Sequence, residues 1–404
     1  MKTSGVGRPW RMAGVALIAA TVLLASGCGH GSKSSSWQGG GTQAGGSSSP
    51  SPAPTLSTVA VVSPAIGATG VVAVSPVKYT SEDPANTTVK VTGPDGTEVS
   101  GTVDKDTKTW TPDKALAYST KYTVTVTGTA SAGKGGTTTS TFTTMAKPTK
   151  VVRAVSFLGD SQTVGVGMPL IMTFSRSIPV SYRDDVERHM TVTATPAQEG
   201  TWHWVSPTEV HYRPKVYWKA NSKVFYKAAL AGVPLGNGYY GKSDMTVDVK
   251  IGRSFVMTVS NSTKRMTVTQ NGKVIKTLLV SLGKPSTPSS SGTMVVIQKL
   301  RHTIFDTTDT DPQHGYKVPI DYAQRITWSG QFIHAAPWSE GKQGKVNVSH
   351  GCVNVSEAMG SWLFGKTMMG DPITVSGTGN KLQNGNGWTD WNMSYAEYKK
   401  GSYL

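Results

Sequence analysis

Between residues 56 and 250 apolar positions alternate with polar ones in short runs. No stretch there has the three-to-four-residue spacing of a long amphipathic helix. Thr87-Thr88-Val89-Lys90-Val91-Thr92 leads into the turn residues Gly93-Pro94-Asp95-Gly96, and Lys121-Tyr122-Thr123-Val124-Thr125-Val126-Thr127 repeats the habit. Successive side chains on a strand point to opposite faces. Period-two runs broken by Gly, Pro, Asn and Asp therefore predict antiparallel strands stacked as sandwiches. A faint repeat divides the region. Thr109-Trp110-Thr111-Pro112 continues to Leu116 and Ser119-Thr120-Lys121, while Val210-His211-Tyr212-Arg213-Pro214 continues to Trp218 and Asn221-Ser222-Lys223. The two prolines lie 102 residues apart, the size of one immunoglobulin-like sandwich. The pattern thus predicts two such domains, 56–147 and 148–251, joined at Ala146-Lys147-Pro148. Trp202, His203, Trp204 and His211 read as core and hairpin packing of the second.

The strand pattern continues past Phe255. Phe255–Val259 and Arg265–Thr269 are followed by Val274–Val280 across Asn271-Gly272, the strongest short hairpin signal in the chain. Periodicity weakens from Lys299 to Arg325. The first helix of this region is expected just after Asn354, with Ser356 as its N-cap, Glu357 in its first turn, and Met359, Trp362, Leu363 and Phe364 at helical spacing. Residues 378–404 form an aromatic tail, with Trp388, Trp391, Tyr395, Tyr398 and Tyr403, expected to pack on the domain at 252–377. The fold class is mainly β.

The first 28 residues stand apart. Lys2, Arg8 and Arg11 precede an apolar stretch, Ala13–Ala25, that is short for a bilayer span, and Ala25-Ser26-Gly27-Cys28 follows. Small residues before a cysteine resemble the lipobox of bacterial lipoproteins, which implies lipidation at Cys28 and anchoring on the outer face of the membrane. Residues 29–55 are rich in Gly, Ser and Pro and cannot bury enough surface to offset their ordering entropy. They are read as a tether with a reach on the order of 25–30 Å. The formal charge is +16; three of those charges belong to the leader, leaving +13. That balance suits an anionic wall or membrane surface. Nucleic acid is excluded as a partner because the lysines are scattered and no recognition motif accompanies them.

Chemistry concentrates in Asn347-Val348-Ser349-His350-Gly351-Cys352-Val353-Asn354-Val355. Cys352 and Cys28 are the only two cysteines, so Cys352 has no disulfide partner in the exported domains. His350 and His334 are its sequence neighbours. A nearby imidazole or a field of amide N–H groups lowers a thiol's pKa, so the pattern predicts a reactive, largely ionised thiol and acyl transfer through a thioester. Three clustered Cys and His residues without a second thiol do not call for zinc. No metal and no cofactor is expected.

His334, fourteen intervening residues, then Ser349-His350-Gly351-Cys352-Val353-Asn354 resembles the signature of the L,D-transpeptidase catalytic domain. More loosely, the whole layout is similar to actinobacterial lipoprotein members with two immunoglobulin-like domains. The resemblance implies that Cys352 attacks a tetrapeptide stem of peptidoglycan, releases D-alanine, and passes the acyl group to an amine of a second stem as a 3→3 cross-link. It implies His334 as general base, its tautomer set by the following backbone carbonyl, and His350 in a supporting role. From the residues alone His350 stays an alternative base. An oxyanion hole from the Gly351-Cys352 turn with the lid tyrosine Tyr316 is implied. So are substrate contacts from Asn354, Ser329 and Gly330, and pocket walls from Phe332 and Trp338. Asn354 as a helix cap alone is the other reading. Carbapenem β-lactams are implied as inhibitors. The calcium site that some relatives carry is not expected, because Pro234 and Asn237 stand in place of acids. The acceptor stays open between amine, water (an L,D-carboxypeptidase) and a protein amine. A non-enzymatic wall-binding lipoprotein is the third reading.

Overall fold

The structure is a computed structural model that describes residues 58–129, 135–306, 308, 313 and 317–404. Cys28, the expected signal segment, the tether and Tyr316 lie outside the described residues.

Residues 59–144 form two facing four-stranded sheets. One runs Val59–Ser63, Val77–Ser81, Thr109–Pro112, Gly101–Asp104 in spatial order, the other Ala68–Val71, Gly135–Thr144, Lys121–Thr129, Thr87–Thr92. Alternation does what the pattern requires: Tyr122, Val124 and Val126 point inward onto Trp110, Val77 and Phe142, while the threonines between them face out. Residues 154–251 repeat the arrangement, with Ala154–Ser156, Leu170–Phe174, Glu209–Pro214, Gly200–Ser206 packed on Gln162–Val164, Met245–Ile251, Lys223–Ala228, Met190–Thr195. The two halves of the sequence repeat, Thr109–Pro112 and Glu209–Pro214, both occupy the third place in their sheets, and Leu116 and Trp218 are both buried.

The remaining strands form a six-stranded sheet, in the order Lys273–Leu279, Arg265–Gln270, Phe255–Ser260, Pro372–Ser376, Ser290–Val295, Asn380–Lys381. Beside it lies a four-stranded sheet, Gln298–Asp306, Lys317–Arg325, Phe332–Ala335, Val353–Val355. Asn271 and Gly272 turn the hairpin at φ of 49° and 80°, the left-handed pair such a turn needs. The helix Glu357–Lys366 starts at Ser356, whose hydroxyl accepts from the Met359 N–H at 3.3 Å.

The second sandwich is welded to the catalytic region. Gly165 and Gly167 donate backbone N–H groups to Met369 and Gly370 at 2.8 and 2.9 Å, and a Cβ on Gly165 would meet the Asp371 nitrogen at 2.4 Å. Val295, Ile297 and Trp388 belong to the apolar core of the second sandwich.

The tail meets both the catalytic region and the second sandwich. It joins the catalytic sheet through the strand Asn380–Lys381, and Leu382, Asn386 and Asn392 add hydrogen bonds to that region, while residues 390–403 reach the second sandwich. The reason is charge buried there. Arg213 is 2% exposed, and the tail supplies the Met393 carbonyl at 3.0 Å together with the faces of Trp391 and Tyr398, 4.5 and 4.4 Å from the guanidinium carbon. Buried His211 donates to Asp390 at 2.9 Å and to Glu209 at 2.8 Å. Burial alone would lower His211; the two carboxylates override it and push it up to about 9. His203 donates from Nδ1 to the Tyr398 carbonyl and stacks on the Tyr398 ring.

Candidate active site

Cys352 sits in the bend between Ser349 and the strand Val353–Val355. Gly351, at φ +121°, takes a conformation that L side chains rarely adopt, and this turns the chain so that the thiol faces inward. The strand then runs parallel to Phe332–Ala335, placing Asn354 directly opposite His334. Residues far apart in sequence are thereby brought to the wall of one cavity of about 300 Å³, lined by Cys352, His334, His350, Asn354, Trp338 and Phe305 among others.

His334 is 4% exposed. Its Nδ1 lies 2.7 Å from the Ala335 carbonyl, which can only accept, so Nδ1 carries the hydrogen and Nε2 keeps the lone pair. Burial lowers its pKa to about 4, against the opposing pull of the Ala335 carbonyl. Cys352 is 7% exposed, with its thiol directed at the Gly330 carbonyl at 3.8 Å. Burial pushes it up to about 11, and the Phe332 N–H only partly offsets this. Burial thus works against the expected ionised thiol, since it disfavours the charged form of both Cys352 and His334.

His350 sits at the mouth, exposed, with Lys284 Nζ donating to its Nε2 at 3.1 Å. Burial, then the Lys284 charge, lowers its pKa.

One donor of the expected oxyanion hole is engaged within the turn. Gly351 N–H donates to Ser349 Oγ at 3.1 Å, while that hydroxyl donates to the Cys352 carbonyl at 2.7 Å. The Gly351 donor is spent on the turn. That leaves the Cys352 N–H as the turn's candidate donor.

Gly330 approaches the sulfur through its carbonyl, whereas Ser329 is held by the tail's Asn386 at 2.9 Å and does not line the cavity. Phe332 is buried beside Cys352 and Phe305. Trp338 is 60% exposed, and its ring stacks 6.0 Å from that of His334. Sequence reasoning missed Lys284, Ser339 and Gln343. It gave Ser349 no role, although Ser349 stands inside the motif.

A model of the bacterial Ig domain family matches residues 68–234, and a model of the L,D-transpeptidase catalytic domain family matches residues 254–375. L,D-transpeptidase 2 of Mycobacterium tuberculosis is 33% identical over 343 residues, covering 83% of this chain and 83% of the relative. This chain belongs to the L,D-transpeptidase family. L,D-transpeptidase 5 of the same species is 34% identical over 366 residues, covering 88% of this chain and 78% of that one. The solved structure of L,D-transpeptidase 3 from Mycobacterium tuberculosis with a faropenem-derived adduct is 30% identical and covers 56% of this chain and 98% of its own, at a TM-score of 0.47. As an L,D-transpeptidase, the protein carries its one described thiol on the wall of the same cavity as a histidine whose basic nitrogen is set by a backbone carbonyl.

Proposed function

We propose that Cys352 is the acyl-accepting nucleophile of a 3→3 peptidoglycan cross-linking reaction. The Sγ attacks the carbonyl between the third and fourth residues of a tetrapeptide stem while His334 Nε2 takes the thiol proton. That proton goes to the departing D-alanine nitrogen, leaving a thioester on Cys352. The side-chain amine of a second stem attacks the thioester, and the proton returns to sulfur through His334.

The observation that carries this reading is geometric: Cys352 and His334 line one cavity, and the Ala335 carbonyl holds His334 Nδ1 so that Nε2 keeps its lone pair. A buried thiol pushed up to about 11, beside an imidazole lowered to about 4 with Nε2 basic, moves its proton only as sulfur meets carbon. His350, exposed and held by Lys284, suits a supporting role at the mouth. The Cys352 N–H is the proposed oxyanion donor, worth on the order of 3 kcal/mol by analogy with other such donors. A strained β-lactam, carbapenems in particular, would acylate the same sulfur. Muropeptide mass spectrometry after incubation with tetrapeptide stems tests the reaction: a 3→3 dimer is expected, and a tripeptide product alone would mark water as the acceptor.

The same reading places the enzyme outside the membrane, lipidated at Cys28 and reaching the wall on residues 29–55. It rests on the small residues before Cys28 and the polar tether. Cys28→Ala should shift the protein from the membrane fraction to the medium; unchanged membrane retention would contradict the lipid anchor.

A further inference from the structure

The second sandwich holds a cavity of about 470 Å³ of its own, lined by Arg176, Ser175, Ser177, Thr208, Tyr239 and Leu235 among others. It forms where the turn after the strand Leu170–Phe174 meets the loop before the strand Tyr240–Gly241. Backbone hydrogen bonds clamp that turn. The Phe174 and Ile178 N–H groups donate to the Thr208 and Pro207 carbonyls, each at 2.8 Å, and the Ser175 N–H donates to the Arg153 carbonyl at 2.9 Å. The facing loop is fixed by the Leu235 N–H, which donates to the Tyr239 carbonyl at 2.8 Å. Gly236 sits there at φ +92°, where a Cβ would meet Pro179 at 2.7 Å. Backbone therefore shapes the cavity before anything binds.

Its donors are unengaged. The Arg176 guanidinium carbon lies 4.6 Å from the centre of the Tyr239 ring, and Lys150 Nζ lies 5.9 Å from the same ring. Neither side chain has an ion pair or hydrogen bond among the described residues. Ser175 Oγ accepts from the Arg153 N–H at 3.0 Å, which leaves its own hydrogen unused. The Ser177 hydroxyl has no partner among the described residues. No Asp or Glu among the described residues lines the cavity, so a cation would find no charged ligand and an anion would find several donors.

We propose that this cavity binds a phosphate group carried on an ester, with Arg176 as the charged anchor, Lys150 as a second positive charge beside it, and the Ser175 and Ser177 hydroxyls as further donors. A guanidinium presents a planar fork that matches phosphate oxygens, and the Tyr239 ring orders it in advance. The fork alone would satisfy a carboxylate, whose two oxygens lie in one plane. Hydroxyls from the same turn suit the additional, tetrahedral oxygens of a phosphate. The volume exceeds what a free phosphate fills, and apolar Val152 and Leu235 fit the carbon part of an ester. Phosphodiesters of this kind occur in polyol-phosphate polymers and in lipid headgroups, and the site recognises the chemistry the two share. It has no lining residue in common with the cavity at Cys352, so its occupancy is separable from acyl transfer.

The test titrates the full-length protein in detergent micelles by calorimetry, at about 0.15 M salt. The probes are glycerophosphoglycerol as a soluble diester, inorganic phosphate, and acetate. Wild type should bind one diester per chain with a Kd of roughly 1 mM or below. Arg176→Gln should weaken that binding about tenfold or more, and Arg176→Lys, which keeps the charge without the fork, should weaken it less. Ser177→Ala leaves the Tyr239 contact intact and should weaken binding severalfold, which tests the site independently of the packing of the arginine. Undiminished binding in Arg176→Gln, acetate bound as tightly as the diester, or inorganic phosphate bound without the diester overturns the assignment. So does an absence of binding up to about 10 mM. Micelles doped with phosphatidylglycerol separate the two sources. Arg176-dependent retention of that lipid through gel filtration marks a headgroup, Arg176-dependent binding of the soluble diester without it marks a polymer, and either supports the site.

Discussion

Cys352 and His334 are neutral at rest for one physical reason: neither charge would be hydrated where they sit. Two outcomes follow at this scale. Since His334 works as a base only when unprotonated, and burial lowers it to about 4, acyl transfer should hold level from pH 5 to 8 and fall as pH drops through about 4. Since the thiol is not ionised by its neighbour, alkylation of Cys352 by iodoacetamide should be slow at pH 7 and climb only in strongly alkaline solution. His334→Ala should then abolish acyl transfer while leaving neutral-pH alkylation nearly unchanged. Fast neutral alkylation that depends on His334 would restore the ion pair. Cys352, His334 and Asn354 were legible in the sequence because the motif is compact and its residue types admit few chemistries. The protonation states were not legible, because they depend on burial contributed by Phe305, Phe332 and Ile320 from distant strands. The spent Gly351 N–H was equally hidden, since it depends on where the Ser349 hydroxyl points.

Among elements, local signals carried well. The Asn271-Gly272 turn and the Ser356 cap each need only a few adjacent residues, and each is found where its residues predict it. The tail was harder, since some of its partners are buried charges on a sheet some 180 residues earlier in the chain. The aromatic spacing predicted docking onto the domain at 252–377 and did not disclose the further contacts with the second sandwich. The ion pair His211–Asp390 now gives the tail a measurable signature. Folding raises His211 from its ordinary 6.5 to about 9, so the native state holds the proton more tightly. That contribution is fully present below pH 6.5 and is lost as pH rises through about 9. The melting temperature of the wild type should therefore lose ground to that of His211→Gln between pH 6.5 and 9.5. Parallel melting curves across that range would mean that the buried histidine is not charged.

For the whole molecule, the second sandwich, the tail and the catalytic sheet share a core, and Arg253 adds an ion pair to Asp371 at 3.0 Å where they meet. Such a junction sets the cavity on a rigid support. The period-two pattern announced the sandwiches, and the 102-residue repeat announced that there were two. The shared core was not legible, because Gly165, Gly167 and Met168 meet the chain 200 residues later only through the fold. The measurement that bears most directly on the central claim is intact mass and muropeptide analysis of the segment after Cys28, incubated with tetrapeptide stems, for wild type and Cys352→Ala side by side. Wild type should show one acyl adduct on Cys352 with loss of D-alanine and accumulate the 3→3 dimer, and Cys352→Ala should show neither. Dimer formation by Cys352→Ala at the wild-type rate would contradict the thioester at Cys352.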